Sequence, residues 1–147
     1  PVSVLREALI LFQHRFTEEE VTVLDQLGTD DLTVIEGDAD RLTQLFSNLF
    51  ENVLRYSTKP GELKICQKRK ESSIALYIED SGPGVPENSV ERLFDRFYRV
   101  DPARTRSRGG SGLGLSICKK IVEVHGGHIK AENRRRGGLR FEIVIPL

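Results

Sequence analysis

Residues 40–56, DRLTQLFSNLFENVLRY, decide how the rest of the chain must be arranged. Leu42, Leu45, Phe46, Leu49 and Val53 recur at the spacing that lays apolar side chains along one side of an α-helix. Arg41, Gln44, Asn48, Glu51, Asn52 and Arg55 take the other side. Gly37-Asp38 punctuates the chain upstream, where Asp38 is placed to cap the helix, and Ser57-Thr58-Lys59-Pro60-Gly61 ends it. The polar side is unusual in one respect. Solvated faces usually carry Glu, Lys and Arg, whereas Asn48 and Asn52 are poor helix formers one turn apart. Their carbonyl oxygens can reach one hard cation such as Mg²⁺, which keeps water and phosphate oxygens as its other ligands. Taken alone, the pair reads first as capping or surface amides.

Outward from this helix the elements are legible in order. Val2, Leu5, Leu9, Phe12 and Phe16 predict an amphipathic lead-in helix over residues 1–16. Val21–Leu27 and Leu32–Ile35 are short β-like runs. Beyond the central helix, Glu62–Gln67 and Ile74–Ile78 are expected strands joined by the charged turn Lys68–Ser73. The loop Asp80–Pro86 leads to a short helix around Asn88–Phe94. Tyr98–Gly110 has little apolar content and is expected to be a mobile loop. A further helix is predicted from about Gly112 to Val124, with Leu113, Ile117, Ile121 and Val124 inward and Gly126-Gly127 as its stop. His128–Asn133 and Arg140–Ile145 predict a closing hairpin through Arg134–Gly138. With no internal repeat and no separating linker, residues 1–147 read as a single α+β domain, a mixed sheet with its helices on one face.

Composition sets the outer bounds. A length of 147 residues with 38% hydrophobic and 30% charged residues suits one soluble globular domain and excludes disorder. Lys+Arg 22 against Asp+Glu 22 gives 22 − 22 = 0, which excludes a protein built chiefly to neutralise nucleic-acid phosphates. No stretch approaches the roughly 18 uncharged apolar residues of a membrane span. The first stretch, PVSVLREALILFQHRF, carries Arg6, Glu7 and His14 and is not expected to be a signal peptide. Cys66 and Cys118 lie inside apolar segments and are expected to be small buried hydrophobes in a reducing, intracellular compartment.

Three further stretches carry chemistry. Asp80-Ser81-Gly82-Pro83-Gly84 follows a strand, where a fixed carboxylate can accept a hydrogen bond from a buried exocyclic amine while glycines admit a ring or phosphate. By itself the same pentapeptide is good turn chemistry. Arg108-Gly109-Gly110-Ser111-Gly112-Leu113-Gly114-Leu115 opens the late helix, whose bare N–H groups can seat a phosphate. It has neither P-loop nor dinucleotide-fold spacing, and a flexible loop ahead of a helix accounts for it equally. From Arg92 to Arg108, six arginines against Asp95 and Asp101 give 6 − 2 = +4 in a neutral chain, enough to clamp a polyphosphate or dock an acidic face. Phe94 and Phe97 are expected to anchor that window to the core. His125 and His128 lack partners at metal-ligand spacing, and Arg134-Arg135-Arg136 reads as the charged tip of a turn.

Taken in order, Asn48-Leu49-Phe50-Glu51-Asn52 with Arg55-Tyr56, Asp80-Ser81-Gly82-Pro83-Gly84, Phe94–Arg99 and Gly110-Ser111-Gly112-Leu113-Gly114-Leu115 closely resemble the N, G1, F and G2 boxes of bacterial sensor histidine kinases. Gly37–Leu42 and Gly137-Gly138-Leu139 through Pro146 are similar to flanks common in that family. The resemblance covers about residue 32 to the end. It implies the two-layer α/β sandwich of the GHKL superfamily, with a mainly antiparallel sheet of about five strands and about three main helices on one face. It also implies ATP and Mg²⁺ as cofactors. Asp80 would take the adenine amino group, and Gly82, Gly84 and Val85 would shape the adenine pocket. Asn48 and Asn52 would hold Mg²⁺, and Arg55 and Tyr56 would lie beside the phosphates or ribose. Gly110, Ser111, Gly112, Leu113 and Gly114 would seat the phosphate tail. Residues 98–111 would be the ATP lid, with Arg96 or Arg99 facing the γ-phosphate or the phosphoacceptor domain.

In the superfamily's ATPases a glutamate that activates water stands where this chain has Asn48. An amide cannot accept that proton, so transfer to another nucleophile is favoured, with Glu51 a residual acid on the same helix. None of His14, His125 and His128 resembles the family's phosphoacceptor histidine, which is usually followed by Glu or Asp. The resemblance therefore implies an isolated, monomeric catalytic domain, cytoplasmic, from a homodimeric receptor of the bacterial inner membrane. Its partners would be ATP, the receptor's own dimerisation and phosphoacceptor domain and, indirectly, a response regulator, with no nucleic acid. The competing readings are a GHKL-fold ATPase or serine kinase, a nucleotide-binding regulatory module without transfer, and an interaction domain using the arginine window.

Overall fold

The computed structural model describes residues 2–27, 38–56, 58, 60–96, 114–135 and 137–146. The expected strand Leu32–Ile35, the lid, Phe97, Arg99, Gly110, Ser111, Gly112 and Leu113 lie outside the described residues. The described chain runs α1 (Val2–Glu18), β1 (Val21–Gln26), α2 (Ala39–Tyr56), β2 (Gly61–Arg69), β3 (Ser73–Asp80), a 3₁₀ turn (Glu87–Arg92), α3 (Gly114–Val124), β4 (His128–Asn133) and β5 (Leu139–Pro146).

The strands form one sheet in the order β1-β2-β3-β5-β4. The β1–β2 pair is parallel and the other three pairs are antiparallel. A parallel pair needs a long crossover, and α2 supplies it. That is why the site-bearing helix lies across the sheet. Its N-terminus is capped as expected: Asp38 Oδ1 accepts the backbone N–H of Asp40 at 3.0 Å and of Arg41 at 3.3 Å.

Alternation along the strands puts one row of side chains under the helices. Ile74, Leu76 and Ile78 of β3 align with Ile145, Ile143 and Phe141 of β5 and are buried with them. The other face of the sheet is polar. There Arg140 lies over the Tyr77 ring at 4.2 Å and within 3.6 Å of Glu79, and Lys130 pairs with Glu142 at 3.3 Å. On α2 the buried stripe contains Leu42, Leu45, Phe46, Leu49, Phe50 and Val53. Phe50, absent from the predicted stripe, meets Phe12 and Phe16 of α1 edge-on, each with centroids 5.7 Å apart. The lead-in helix therefore shares the core of the sandwich.

Two expectations need correction. Val124 is 62% exposed, while Cys118, Ile121 and Val122 form the buried stripe of α3. The apolar residues of α3 extend around more than one face, so spacing alone chose the wrong edge of the stripe. Gly126-Gly127 does stop α3, the Gly127 N–H reaching back to the Val122 carbonyl at 3.0 Å. Cys118 is buried, but Cys66 points to the polar face of the sheet opposite Tyr77 and is half-buried. Burial and the neighbouring Glu79 raise its thiol pKa.

Candidate functional site

Asp80 is the last residue of β3 and shares the parity of Ile74, Leu76 and Ile78, so its carboxylate enters the helix-covered side. It is 3% exposed. Oδ1 accepts the backbone N–H of Gly82 at 2.9 Å and of Leu139 at 3.2 Å. Its own backbone carbonyl accepts from Arg134 Nη1 at 2.7 Å. Both described side-chain bonds end on Oδ1, which holds the carboxylate in one rotation. Burial raises the Asp80 pKa, against the lowering effect of the Gly82 and Leu139 N–H groups and of Arg134. A charge kept in such a place, at a strand end between helix and sheet, is a functional feature more than a stabilising one.

The end of α2 reaches this carboxylate. A Cβ added at Gly82 would stand 2.5 Å from the Tyr56 carbonyl oxygen and 3.2 Å from Asp80 Oδ1, so the two stretches touch through a glycine. Thr58 adds a tie, its hydroxyl donating to the Ser81 carbonyl at 3.1 Å. Asn48, Asn52, Arg55 and Tyr56 are half-buried along the polar side of α2. Asn48 also lies beside α3, near enough to the Cys118 thiol to oppose the effect of burial on its pKa. Burial pushes that thiol up to about 12, so it remains a neutral partner. Asn48 and Asn52, one turn apart on the same side of α2, each carry a carbonyl oxygen, the kind of atom a hard cation requires. Oxygen donors of this kind are ones a magnesium ion takes.

Glu51 is held from α1: Arg15 Nη1 and Nη2 both donate to its carboxylate, the second at 3.1 Å. The Arg15 hydrogen bond brings the Glu51 pKa below the usual carboxylate range, with Arg55 adding to the effect. The sign follows: the pair's contribution to stability is present above the unfolded pKa and fades as pH falls through the folded one. Both side chains are substantially exposed. Glu51→Gln should therefore lower stability by no more than about 1 kcal/mol at pH 7, and by less near pH 3, in urea titrations.

The remaining expected site residues divide. Phe94 does anchor its segment, against Phe141 at 6.1 Å between centroids, and Arg96 beyond it is exposed. Gly114 opens α3 with nothing within 4 Å of an added Cβ. Val85 is fixed by a residue that sequence reasoning missed: Asn133 Oδ1 accepts its N–H at 2.9 Å and Asn133 Nδ2 donates to its carbonyl at 2.7 Å. Gly138, expected as part of the hairpin turn and as a family flank, also abuts the backbone of Asp80. Its φ is +95°, and an added Cβ would stand 1.9 Å from the Asp80 carbonyl oxygen. Arg134 is not the solvated tip expected, since it binds the Asp80 carbonyl and lies 3.8 Å from Glu79. Contacts 54 and 59 residues apart leave no local pattern, although the paired glycines of the hairpin were a signal. His125 ties helices together, its Nδ1–H donating to the Ile121 carbonyl at 2.8 Å and its Nε2 accepting the Asp38 N–H at 3.1 Å.

A five-stranded mixed sheet with helices on one face, and a buried aspartate at the end of a central strand touching the site helix, defines an α+β sandwich of the histidine-kinase catalytic type. Residues 37–147 match the family described as histidine kinase-, DNA gyrase B-, and HSP90-like ATPase. The chain belongs to this family, and membership implies ATP binding. Over 146 residues it is 42% identical to the signal transduction histidine-protein kinase BaeS of Escherichia coli strain K12, covering 99% of this chain and 31% of BaeS. The sensor histidine kinase WalK of Bacillus subtilis strain 168 is 41% identical over 142 residues, covering 95% of this chain and 23% of WalK. The chain thus spans about a third or less of the length of these relatives. The catalytic domain of histidine kinase ThkA superposes with a TM-score of 0.84 at 31% identity, covering 98% of this chain and 92% of that one. The mycobacterial sensor histidine kinase MprB superposes with a TM-score of 0.86 at 27% identity, covering 99% and 94%. ThkA has also been solved in complex with the response regulator protein TrrA. No helix among the described residues is long and apolar enough to cross a membrane.

Proposed function

We propose that this chain is the ATP-binding catalytic domain of a two-component sensor histidine kinase and transfers the γ-phosphoryl group of ATP to a histidine on a separate dimerisation domain. The observation that carries the reading is Asp80, a carboxylate 3% exposed and held in one rotation where it can accept the exocyclic amine of adenine. Gly82, Gly84 and Val85 form the adjoining wall. Asn48 and Asn52 would hold Mg²⁺, and the bound ion would neutralise phosphate charge. Arg55 and Tyr56 lie along the same helix toward ribose or phosphate. Gly110–Gly114 and the lid, residues 98–111, belong to the proposed phosphate end, with Arg96 or Arg99 facing the γ-phosphate.

The residues of α2 favour transfer over hydrolysis. Asn48 cannot accept a proton from water. Glu51 is engaged by Arg15 and, with its lowered pKa, is a weaker base than a free carboxylate. Positioning of the γ-phosphoryl group against a second nucleophile then supplies the catalysis. The receptor around this domain would be a homodimer of the bacterial inner membrane, with this monomeric domain on the cytoplasmic side and a response regulator downstream.

The test is phosphotransfer. With Mg²⁺ and γ-labelled ATP, the chain should label a separately supplied cognate helical hairpin bearing the acceptor histidine, and not itself. The label should be lost in acid, as phosphohistidine is. An acid-stable label would identify a serine kinase instead, ADP release without any label an ATPase, and binding without turnover a regulatory module. Each of these overturns the proposal.

A further inference from the structure

We infer that Asn133 is a positioning residue that clasps the loop after Asp80 into the shape of a purine seat, and so sets discrimination between bases without touching the base. The inference rests on the proposed role of Asp80 as the base-selecting carboxylate. Asn133 ends β4 with the parity of Ile129 and Ala131, so its side chain enters the same helix-covered side as Asp80. Its amide treats Val85 as a neighbouring strand would. Oδ1 accepts the Val85 N–H at 2.9 Å, and Nδ2 donates to the Val85 carbonyl at 2.7 Å. Nδ2 also donates to Glu87 Oε1 at 3.0 Å, which reaches the start of the 3₁₀ turn. One neutral side chain thus satisfies both backbone groups of a loop residue at a point where no strand continues.

The clasp acts where the loop has least stiffness of its own. Gly84 has φ +76°, and a Cβ added there would stand 2.6 Å from Asn133 Oδ1. The left-handed residue and the clasp are therefore in contact. The next residue along, Arg134, holds the other end of the loop through the Asp80 carbonyl. Consecutive residues of the hairpin thus grip Asp80 and Val85, the two sides of the proposed seat. Aspartate at position 133 would keep the acceptor for the Val85 N–H but lose the donor to its carbonyl and face the Glu87 carboxylate.

The experiment uses this 147-residue chain and measures affinity for a non-hydrolysable ATP analogue and for inosine triphosphate by competition, together with melting temperature. Asn133→Ala should weaken the adenine analogue about tenfold and inosine triphosphate less than about twofold, so that the ratio collapses. Gly84→Ala should do the same, and the double variant should be no worse than either single one, because both remove one contact. If alanine at 133 leaves too little folded protein, Asn133→Asp carries the comparison and is expected to lose the ratio as well. An unchanged ratio, or equal losses for both bases alongside a lower melting temperature, overturns the inference. Asp80→Asn in the same assay separates the two layers. If Asp80→Asn keeps adenine affinity, the base-selecting role falls; if it loses affinity while Asn133→Ala does not, only the clasp falls.

Discussion

Asp80→Asn is expected to weaken binding of an ATP analogue by about ten- to hundred-fold, the loss of a charge-assisted hydrogen bond of roughly 1.5–3 kcal/mol. The variant isolates chemistry from folding. Its Oδ1 can still accept the Gly82 and Leu139 N–H groups, which stand at 2.9 and 3.2 Å from the native atom. Its amide group, however, offers a donor where an exocyclic amine also donates. The melting temperature should be unchanged or higher, since a buried charge has been removed. Titration calorimetry checks this, and unchanged affinity would count decisively against the adenine assignment. The same residue predicts a pH dependence. Burial raises its pKa, so the ionised form burdens the folded state and stability from this group is lost as pH rises from the ordinary carboxylate value through the folded one. Binding of an amine donor favours the ionised form. Nucleotide affinity should therefore fall as pH is lowered, starting above the ordinary aspartate range, with proton release on binding within that window; affinity flat across it in native protein but falling in Asp80→Asn would be the opposite outcome.

Gly138→Ala is expected to be the most destabilising single methyl group that can be added near the site. The new Cβ would stand 1.9 Å from the Asp80 carbonyl oxygen, on a residue whose φ of +95° already disfavours any L side chain. Backbone, not a flexible side chain, is the obstacle, so the hairpin must move. A loss of about 3 kcal/mol or more is expected, or a drop of roughly 10 °C in melting temperature for a domain of this size. Moving the hairpin also withdraws the Leu139 N–H from Asp80 and the Arg134 guanidinium from its carbonyl. Affinity for the ATP analogue should fall with stability even at temperatures where the variant is fully folded. A variant that melts normally and binds normally would show that the hairpin does not shape the site.

Elements with a strong local period could be read directly. The α2 stripe, the Asp38 cap and the parity of β3 all follow from spacing over a few residues, and the structure places them accordingly. Reading failed where two assignments satisfy the same local pattern. Val124 and Val122 both suit an apolar helix face, and only burial in the folded core selects Val122. Arg134 looks like any charged turn residue until the hairpin folds against the end of β3. The partnership of Arg15 with Glu51 spans 36 residues and carries no sequence signature.

The order of the described elements, the polar side of α2 with its two amides, and the presence of a carboxylate followed by glycines at a strand end were all legible in the one-dimensional pattern. Local geometry suffices for these, because strand and helix periods assign faces without reference to partners. What the tertiary structure alone decided is the state of that carboxylate. Its burial and its fixed rotation arise from Tyr56, Asn133, Arg134, Gly138 and Leu139, residues distant in the chain that meet at Asp80 and its loop only after the sheet has formed, and that burial raises its pKa against the opposing pull of the Leu139 N–H and Arg134.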